Sequence, residues 1–283
     1  MVLIADSGSS KTDWILAGGK DGILEIRTQG INPVRDDQDA ILRLMRDELM
    51  PALPHGIDIP AIHFFGAGCV SPFSQSVTDS LATLFPHADI HVGSDLLGAA
   101  IALCGDQPGI ACILGTGSNS GLYDGTRITQ NVPPLGFILG DEGSGAVLGR
   151  TLVGNLLKGV FPTHLKDEFL HHFQLTPSDI ITRVYRQPQP NRFLASLVPF
   201  IALHRDEPCI HQMLVEAFRL FFDRNIRPYG RRDLAVHCVG GIAAEFAAEL
   251  REAAWHDGYI IGKIIQRPAP QIANFYQNTC YKT

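Results

Sequence analysis

Two turns rich in glycine and hydroxyl side chains could bind phosphate, "DSGSSKT" (6–12) and "GTGSNSG" (115–121). Such turns present unhindered backbone N–H groups and hydroxyls to anionic oxygens. A single turn of this kind is more often structural, but a matched pair favours binding of a polyphosphate. The first turn is not a Walker loop, because Ser10 and Ala5 occupy its glycine positions and the apolar residues after Lys11 predict a strand, not a helix.

Two aspartates follow apolar runs that read as strands. Asp95 lies where "DIHV" meets a helical segment, the usual place of ligand sites in open α/β sheets. It could be a catalytic base, or it could cap the helix, as Ser94 could equally well. Asp6 ends the first strand beside the phosphate turn, a position that suits a Mg²⁺ ligand.

Two further glycine-rich segments carry functional candidates. "PLGFILGDEGSGAVLGR" (134–150) surrounds Asp141 and Glu142 with glycines before a helix begins. A helix dipole explains one acid there but not the glycines. "CVGGIAAEF" (238–246) is compatible either with close packing of a strand on a helix or with an adenine ring lying against a bare Gly-Gly backbone.

The elements that must position these residues follow from hydrophobic periodicity. Strands are predicted at 2–5, 12–17, 23–28, 61–68 and 88–95, and helices at 37–50, 74–85 and 96–103. The order β-β-β-α-β-α-β-α begins again at residue 109, and a strand followed by Gly-Gly and a helix recurs near residue 239. We therefore expect an α/β protein of two similar lobes, residues 1–106 and 107–283, the second with a helical insertion.

Composition limits the function classes. The chain has 283 residues, 45% of them hydrophobic and 18% charged, with a formal net charge of -6. The negative charge disfavours nucleic acid, and neither a signal peptide nor a membrane span is apparent. The six cysteines lack metal-like spacing and are typical of reduced cytoplasmic thiols.

The four turns "DSGSSKTD", "GTGSN", "GDEGSG" and "VGGIA", in this order and spacing, resemble the N-acetylglucosamine kinase-like family, which is grouped with the BadF/BadG/BcrA/BcrD ATPases. That family belongs to the superfamily of actin, sugar kinases and heat-shock chaperones. The resemblance covers residues 2 to 267, and "GTGSN" followed by "GDEGS" is its most specific part. It implies two ribonuclease H-like, actin-like ATPase lobes flanking a nucleotide cleft, with ATP and Mg²⁺ as cofactors.

The resemblance also implies a role for each matching position. Asp6 would lie near Mg²⁺, and Asp95 would be the catalytic base. The residues expected to bind the nucleotide are Ser9, Ser10, Lys11, Thr12, Gly115, Thr116, Gly117, Ser118, Gly240, Gly241 and Ala243. Those expected to contact the sugar are Asn32, Asp95, Thr116, Gly136 and Asp141.

The sequence departs from the family pattern in three places. The first turn has Ser-Gly-Ser-Ser where Gly-Gly-Gly-Thr is usual. Leu135 stands where related animal kinases carry a tryptophan near the sugar. The tail "QIANFYQNTCYKT" lacks the family's small-residue ending, and the sequence does not predict how it packs.

Three functions fit this pattern. The first is an ATP-dependent kinase for the 6-hydroxyl of an amino sugar such as N-acetylglucosamine, cytoplasmic, without nucleic acid or membrane partners, and compatible with a homodimer. The second is an ATPase that activates acyl-CoA reductases or dehydratases, whose relatives carry an iron–sulfur cluster on cysteines shared across a dimer. The third is a sugar-responsive repressor, disfavoured because the chain begins directly at the first strand. The "GTGSN" and "GDEGS" pair favours the kinase.

Overall fold

The structure is a computed structural model of the 283-residue chain, and it describes residues 1–8, 10–19 and 22–280. The strands, in chain order, are β1 (Val2–Ser7), β2 (Lys11–Gly19), β3 (Gly22–Gln29), β4 (Ala61–Gly66), β5 (Asp89–Ser94), β6 (Gly109–Leu114), β7 (Ser118–Tyr123), β8 (Ile128–Val132), β9 (Val236–Val239) and β10 (Ile261–Ile265).

The helices, in chain order, are α1 (Gln38–Leu44), α2 (Ser74–Leu84), α3 (Asp95–Cys104), α4 (Gly136–Leu139), α5 (Gly145–Leu157), α6 (Thr163–Phe173), α7 (Pro177–Tyr185), α8 (Pro190–Ala195), α9 (Val198–Leu203), α10 (Pro208–Phe221), α11 (Gly241–Glu245), α12 (Ala247–His256) and α13 (Ala269–Cys280). A π-helical turn follows α1 at Met45–Leu49, and another follows α10 at Phe222–Ile226. Short 3₁₀ turns, Met50–Ala52 and Arg227–Tyr229, come directly after them.

The chain packs into two compact units. The first contains residues 1–108, 123–128 and the segment from Arg267 onward, and the second contains residues 109–122 and 129–266. Helix α13 belongs to the first unit, where it packs against α3, β1 and β2. The described part of the tail whose packing the sequence did not predict, up to residue 280, therefore belongs to the first unit. The division into domains at residues 106 and 107 stays a prediction.

The first unit is built on a five-stranded sheet of order β3-β2-β1-β4-β5. Strand β2 is antiparallel to β1 and β3, whereas β4 is parallel to β1 and β5. The apolar start of the chain forms β1 because Leu3, Ile4 and Ala5 are fully buried. On one face of the sheet the Trp14 ring meets the Phe64 ring edge-on at 5.7 Å, a favourable aromatic geometry.

The second unit repeats this arrangement. Its sheet has the order β10-β9-β6-β7-β8. When the strands are numbered within each unit, this is the order of the first sheet read from its opposite edge. Strand β9 is parallel to both β6 and β10. Helices α5 to α10 come between the third and fourth strands and contribute most of a large apolar cluster around Phe200, Phe218 and Phe222. The predicted α/β class with two similar halves is confirmed.

Candidate functional site

The first glycine turn is closed by hydrogen bonds to its own hairpin. The Gly8 N–H donates to the Lys11 carbonyl at 3.0 Å. The hydroxyls of Ser7 and Thr12 are 2.7 Å apart, and Thr12 also donates to the Gln29 carbonyl at 3.1 Å. The Thr12 hydroxyl therefore makes hydrogen bonds within the first unit and stabilises the conformation of the turn.

Only part of the predicted phosphate set in this turn is exposed. Ser10 and Lys11 are exposed, whereas Thr12 is buried. Ser9, also predicted to bind phosphate, lies outside the described residues. Backbone N–H groups and the side chains of Ser10 and Lys11 are thus what this turn offers to an anion.

Gly30 fits directly against the first turn. A Cβ on Gly30 would lie 2.3 Å from the Gly8 carbonyl oxygen and 2.7 Å from the Lys11 backbone nitrogen. Such contacts cannot be relieved, because both atoms belong to the backbone. Sequence reasoning did not assign this glycine, although it precedes Asn32 in "GINP". The sequence feature that could have identified Gly30 was its position two residues before Asn32, which was predicted to contact the sugar.

Asn32 is oriented by its own loop. Its carboxamide Oδ1 accepts a hydrogen bond from the Val34 N–H at 3.1 Å, and its N–H donates to Asp36 Oδ2 at 3.0 Å. Gly68, with φ +78°, leaves space for the carboxamide, since a Cβ there would be 2.5 Å from Asn32 Oδ1. The amide Nδ2 is the group of Asn32 that is suited to donate to a ligand hydroxyl.

The predicted base Asp95 and the predicted metal ligand Asp6 lie at the same edge of the first sheet. Ser7, Gly66 and Ser94 are paired in register at the carboxyl ends of β1, β4 and β5. Asp6 comes one residue before this row and Asp95 one residue after it. Because ligand sites in open α/β sheets form at the carboxyl ends of parallel strands, the structure brings these two acids together where the sequence predicted a site.

The pKa of Asp6 is raised to about 7. Burial is the main cause, and the negative charges of Asp95 and Asp13 add to it, while Lys11 and Arg267 oppose it. A carboxylate that is desolvated and surrounded by like charge gains strongly from a nearby cation. Asp6 therefore fits the predicted role of a Mg²⁺ ligand.

Asp95 is not the cap of helix α3. The cap is Ser94, whose hydroxyl accepts from the Leu97 N–H at 3.2 Å, whereas Asp95 Oδ1 accepts from the Leu96 N–H at 2.8 Å. Burial raises the pKa of Asp95, and the Leu96 hydrogen bond only partly offsets this. The sequence allowed either Ser94 or Asp95 to cap the helix, and in the structure the cap is Ser94.

In the second unit the glycine turn is fastened to the start of helix α5. The Gly145 N–H donates to the Gly115 carbonyl at 2.8 Å, and the Ala146 N–H donates to the Thr116 carbonyl at 3.1 Å. The Gly115 N–H also donates to the Gly117 carbonyl at 2.9 Å. The turn is fixed through its carbonyl groups, and the Thr116 side chain stays exposed.

Asp141 is held in an unusual backbone conformation. Its φ is +55°, a left-handed value that Asp tolerates better than most residues, and its N–H donates to the Pro134 carbonyl at 2.9 Å. Burial raises the pKa of its carboxyl, the Ser118 N–H lowers it by donating a hydrogen bond, and Glu142 raises it. Gly136, also predicted to contact the sugar, begins α4 with φ +74° and open space around its Cα.

Glu142, next to Asp141, anchors this loop to the π-helical turn after α10. Its carboxylate is buried and accepts from Arg224 Nη1 at 3.0 Å and Asn225 Nδ2 at 3.1 Å. The Asn225 carbonyl in turn accepts from the Ser120 hydroxyl at 3.1 Å. Sequence reasoning assigned no specific role to Glu142, because its partners lie more than eighty positions away and leave no local signal.

The two glycines of "VGGIA" differ in their surroundings. Gly240 has φ +125°, and a Cβ there would lie 2.2 Å from the Leu114 carbonyl oxygen. Nothing lies within 4 Å of the corresponding position on Gly241. Ala243 is fully buried. Close packing thus explains Gly240, while Gly241 leaves an open surface against which a ligand could lie.

The residues present fit a magnesium nucleotide. The Ser118 hydroxyl is buried and lacks a hydrogen-bond partner within the described ranges, as expected of a donor that awaits a ligand oxygen. A Cβ on Gly115 would meet nothing within 4 Å, so this turn is open to an anion. In the described part of the chain no cluster of three or more His, Cys, Asp or Glu is arranged for a metal, but Mg²⁺ commonly takes only one or two carboxylates, which Asp6 can supply.

Paired five-stranded units with carboxylates and glycine turns at the strand ends define the two-lobe α/β fold of the actin-like ATPases. No family model and no curated protein matches the sequence. Among solved structures, one described as a putative N-acetylglucosamine kinase from Porphyromonas gingivalis is 45% identical, with a TM-score of 0.95, over 99% of this chain and 100% of that one. The chain belongs to the N-acetylglucosamine kinase-like family, and the resemblance seen in its sequence is confirmed.

More distant structures show the fold alone. A putative N-acetylglucosamine kinase from Chromobacterium violaceum is 19% identical, with a TM-score of 0.73, over 97% of this chain and 98% of that one. The ethanolamine utilization protein EutJ from Carboxydothermus hydrogenoformans is 12% identical, with a TM-score of 0.54, over 96% and 87%. Separately, none of the helices in the described ranges has the length and apolar character needed to cross a bilayer.

Proposed function

We propose that this protein is an ATP-dependent sugar kinase that transfers the γ-phosphoryl group to the 6-hydroxyl of an amino sugar such as N-acetylglucosamine. The observation that carries the proposal is that Asp6 and Asp95 both lie at the carboxyl edge of the first sheet, close enough for their charges to interact, beside a closed glycine turn. The full-length similarity to a putative N-acetylglucosamine kinase supports it.

In this proposal the two carboxylates have different roles. Asp6 holds Mg²⁺, which when bound would neutralise charge on the phosphate oxygens. Asp95 accepts the proton of the sugar hydroxyl as the new bond forms. Burial raises its pKa, and a carboxylate with a raised pKa is a stronger proton acceptor.

Nucleotide binding is assigned to backbone-rich surfaces. Ser10, Lys11 and the backbone of the first turn would contact phosphate oxygens, with Thr12 shaping that turn from within. The second turn would contribute the N–H groups of Thr116 and Gly117 and the Ser118 hydroxyl, which has no hydrogen-bond partner among the described residues. Gly241 would lie against the adenosine, with Gly240 and Ala243 supporting it through packing.

Sugar recognition is assigned to groups that their loops already orient. Asn32 would donate from Nδ2, and the Asp141 carboxylate would accept from a sugar hydroxyl. Thr116 is exposed and Gly136 is unhindered, so both can lie close to a ligand. Such preoriented polar groups favour a polyhydroxylated substrate over an apolar one.

The alternative, an ATPase activator with a shared iron–sulfur cluster, finds less support. Cys69, Cys104, Cys112 and Cys238 are buried and Cys209 is half-buried. Burial raises the pKa of the Cys69 thiol to about 12, whereas a cluster ligand must be a thiolate. A homodimer in the cytoplasm remains part of the kinase proposal.

A coupled ADP-release assay over a panel of sugars tests the proposal. The panel should include N-acetylglucosamine, glucosamine, N-acetylmuramic acid and glucose, with mass analysis of the product. We expect ADP release that depends on an amino sugar and yields one sugar monophosphate per ADP. A 6-deoxy analogue of the best substrate should give no product. ADP release that is indifferent to every sugar would reject a kinase and favour the ATPase alternative.

A further inference from the structure

The register of the first hairpin places two acids side by side. Asp6 on β1 is paired with Asp13 on β2, and Asp13 is paired with Arg27 on β3. Residues directly opposite on neighbouring strands project from the same face of a sheet, and like charges in such pairs repel. Asp13 therefore needs compensating cations if Asp6 is to stay beside it.

Asp13 has three such cations. Its buried carboxylate, 5% exposed, contacts Lys11 Nζ at 2.9 Å, Arg27 Nε at 2.8 Å and Arg267 Nε at 3.4 Å. Burial alone would raise the pKa of Asp13, but the hydrogen bonds from Lys11 and Arg27 outweigh it and the pKa is lowered. Arg267 also contacts Glu25 at 2.8 Å.

We propose that Asp13 is a positioning residue that holds the Lys11 ammonium at the first turn for the polyphosphate of ATP. This inference rests on the nucleotide site of the proposed function. Lys11 is half exposed, at 49%, and a free lysine side chain samples many rotamers. Pairing with the buried Asp13 selects one of them and so reduces the ordering that ATP binding would otherwise require.

The charge of the cluster fits this role. A lone Asp–Lys pair would cancel the charge of Lys11 and offer little attraction to phosphate. If Asp6 is counted with the Mg²⁺ assigned to it, the remaining cluster has three cations against the two carboxylates of Asp13 and Glu25, so it keeps one net positive charge. Arg27 and Arg267 thus let Asp13 hold Lys11 without abolishing its attraction for an anion.

Replacing Asp13 separates positioning from simple charge. Asp13→Asn removes a negative charge near the phosphate turn, so electrostatics alone predicts tighter ATP binding. Loss of positioning predicts the opposite, an increase of about tenfold in the Kd of ATP, because one charge-assisted contact is no longer preorganised. Adenosine, which lacks phosphates, should bind as in the wild type. Calorimetric titration with both ligands measures the difference.

Each outcome is informative. Weaker ATP binding with unchanged adenosine binding supports the inference, and in a Lys11→Met background Asp13→Asn should then have no further effect on ATP. Unchanged or tighter ATP binding overturns it, and so does an equal loss for both ligands, which indicates a purely structural role. If the wild type binds ATP and Asp13→Asn does not weaken that binding, only this inference is rejected. If the wild type does not bind ATP, the proposed function is rejected as well.

Two further variants complete the experiment. Glu25→Gln is the matched control, because Glu25 contacts Arg267 but not Lys11, and its Kd for ATP should stay within about twofold of the wild type. If Asp13→Asn does not fold, Asp13→Glu replaces it. The longer side chain keeps the charge but displaces Lys11, so ATP affinity should fall about threefold with adenosine unaffected. Unchanged ATP affinity in that variant overturns the inference.

Discussion

The two units share a strand order but position their glycine turns by different means. In the first unit the turn lies among charged groups, since Asp6, Lys11 and Asp13 all belong to its hairpin. In the second unit the turn "GTGS" (115–118) is uncharged and is held by hydrogen bonds from the N-terminus of α5. One topology thus supports a glycine turn surrounded by charged side chains and another held by backbone hydrogen bonds.

This difference indicates how the work is divided. In the first unit the ionised form of Asp6 is disfavoured, because burial and neighbouring acids raise its pKa to about 7. In the second unit Glu142, the acid next to the substrate candidate Asp141, is held by hydrogen bonds from Arg224 and Asn225. The first unit would therefore supply the charges that change during reaction, and the second a fixed shape.

The largest effect is expected at Asp6. Asp6→Asn should reduce turnover at least about a hundredfold, because metal binding contributes several kcal/mol to phosphoryl transfer. The same variant should be more stable than the wild type above pH 7 in EDTA, by about 4 kcal/mol. A raised carboxyl pKa, here about 7, means that stability falls as pH rises from about 4 to 7, and Asn removes that loss. Denaturant titration and steady-state kinetics give both numbers, and a destabilised variant would contradict the charge argument.

Loss of the hydrogen-bonded acid Glu142 in the second unit should lower stability, the opposite of the effect expected for Asp6→Asn. Glu142→Gln should destabilise the protein by about 1–3 kcal/mol, since it leaves the buried Asn225 amide facing another amide donor. The displaced loop should raise the KM for the sugar without changing the Kd of ATP. Glu216→Gln, an exposed acid on α10, is the control and should change stability by less than about 0.5 kcal/mol. Equal behaviour of the two variants would remove the distinction between the units.

The Gly240 and Gly241 pair offers a finer test within the second unit. Gly240→Ala should lower stability by about 2 kcal/mol, because its positive φ and the nearby Leu114 carbonyl exclude a side chain. Gly241→Val should weaken ATP binding while leaving the melting temperature nearly unchanged. Thermal melts and nucleotide titrations of both variants separate packing from binding. A Gly241→Val variant that loses both equally would assign this glycine to packing as well.

The smallest expected effect concerns pH and the first sheet. His63 on β4 stacks on His91 and on Tyr276 of α13, at ring distances of 5.0 and 3.7 Å. Burial, and then the neighbouring His91, lower the pKa of His63 to about 4. Its charged form is favoured only in the unfolded chain, so stability is complete above pH 6.5 and falls as pH decreases towards 4.

Between pH 7 and pH 5 the loss assigned to His63 should be roughly 1–2 kcal/mol. His63→Phe keeps a stacking ring but cannot titrate, so its stability should change less over the same range. Urea midpoints at the two pH values measure the difference. Parallel pH dependence in wild type and variant would show that other groups dominate acid sensitivity.

Much of the site was predictable because its signals are local. Strands β1 to β3, the glycine turns and the carboxyl-end positions of Asp6 and Asp95 follow from periodicity and turn residues over short windows. The contacts that hold these groups do not. Arg267 meets Glu25 across 242 positions, and the place of α13 depends on tertiary packing that no local pattern encodes. The roles of residues could be predicted where residue type and local pattern indicate them. Roles that depend on contacts with residues far away in the sequence could not be predicted.

The central claim, that Asp95 is a base and not a cap, is tested most directly by comparing two neighbouring substitutions. Ser94→Ala removes the observed cap and should lower stability by about 1 kcal/mol with turnover nearly retained. Asp95→Asn preserves shape and hydrogen bonding but cannot accept a proton, so turnover on the best sugar should fall at least about a hundredfold at near-wild-type stability and ATP affinity. If Asp95→Asn turnover stays within about threefold of the wild type, Asp95 is not the base, and Asp141 becomes the next candidate.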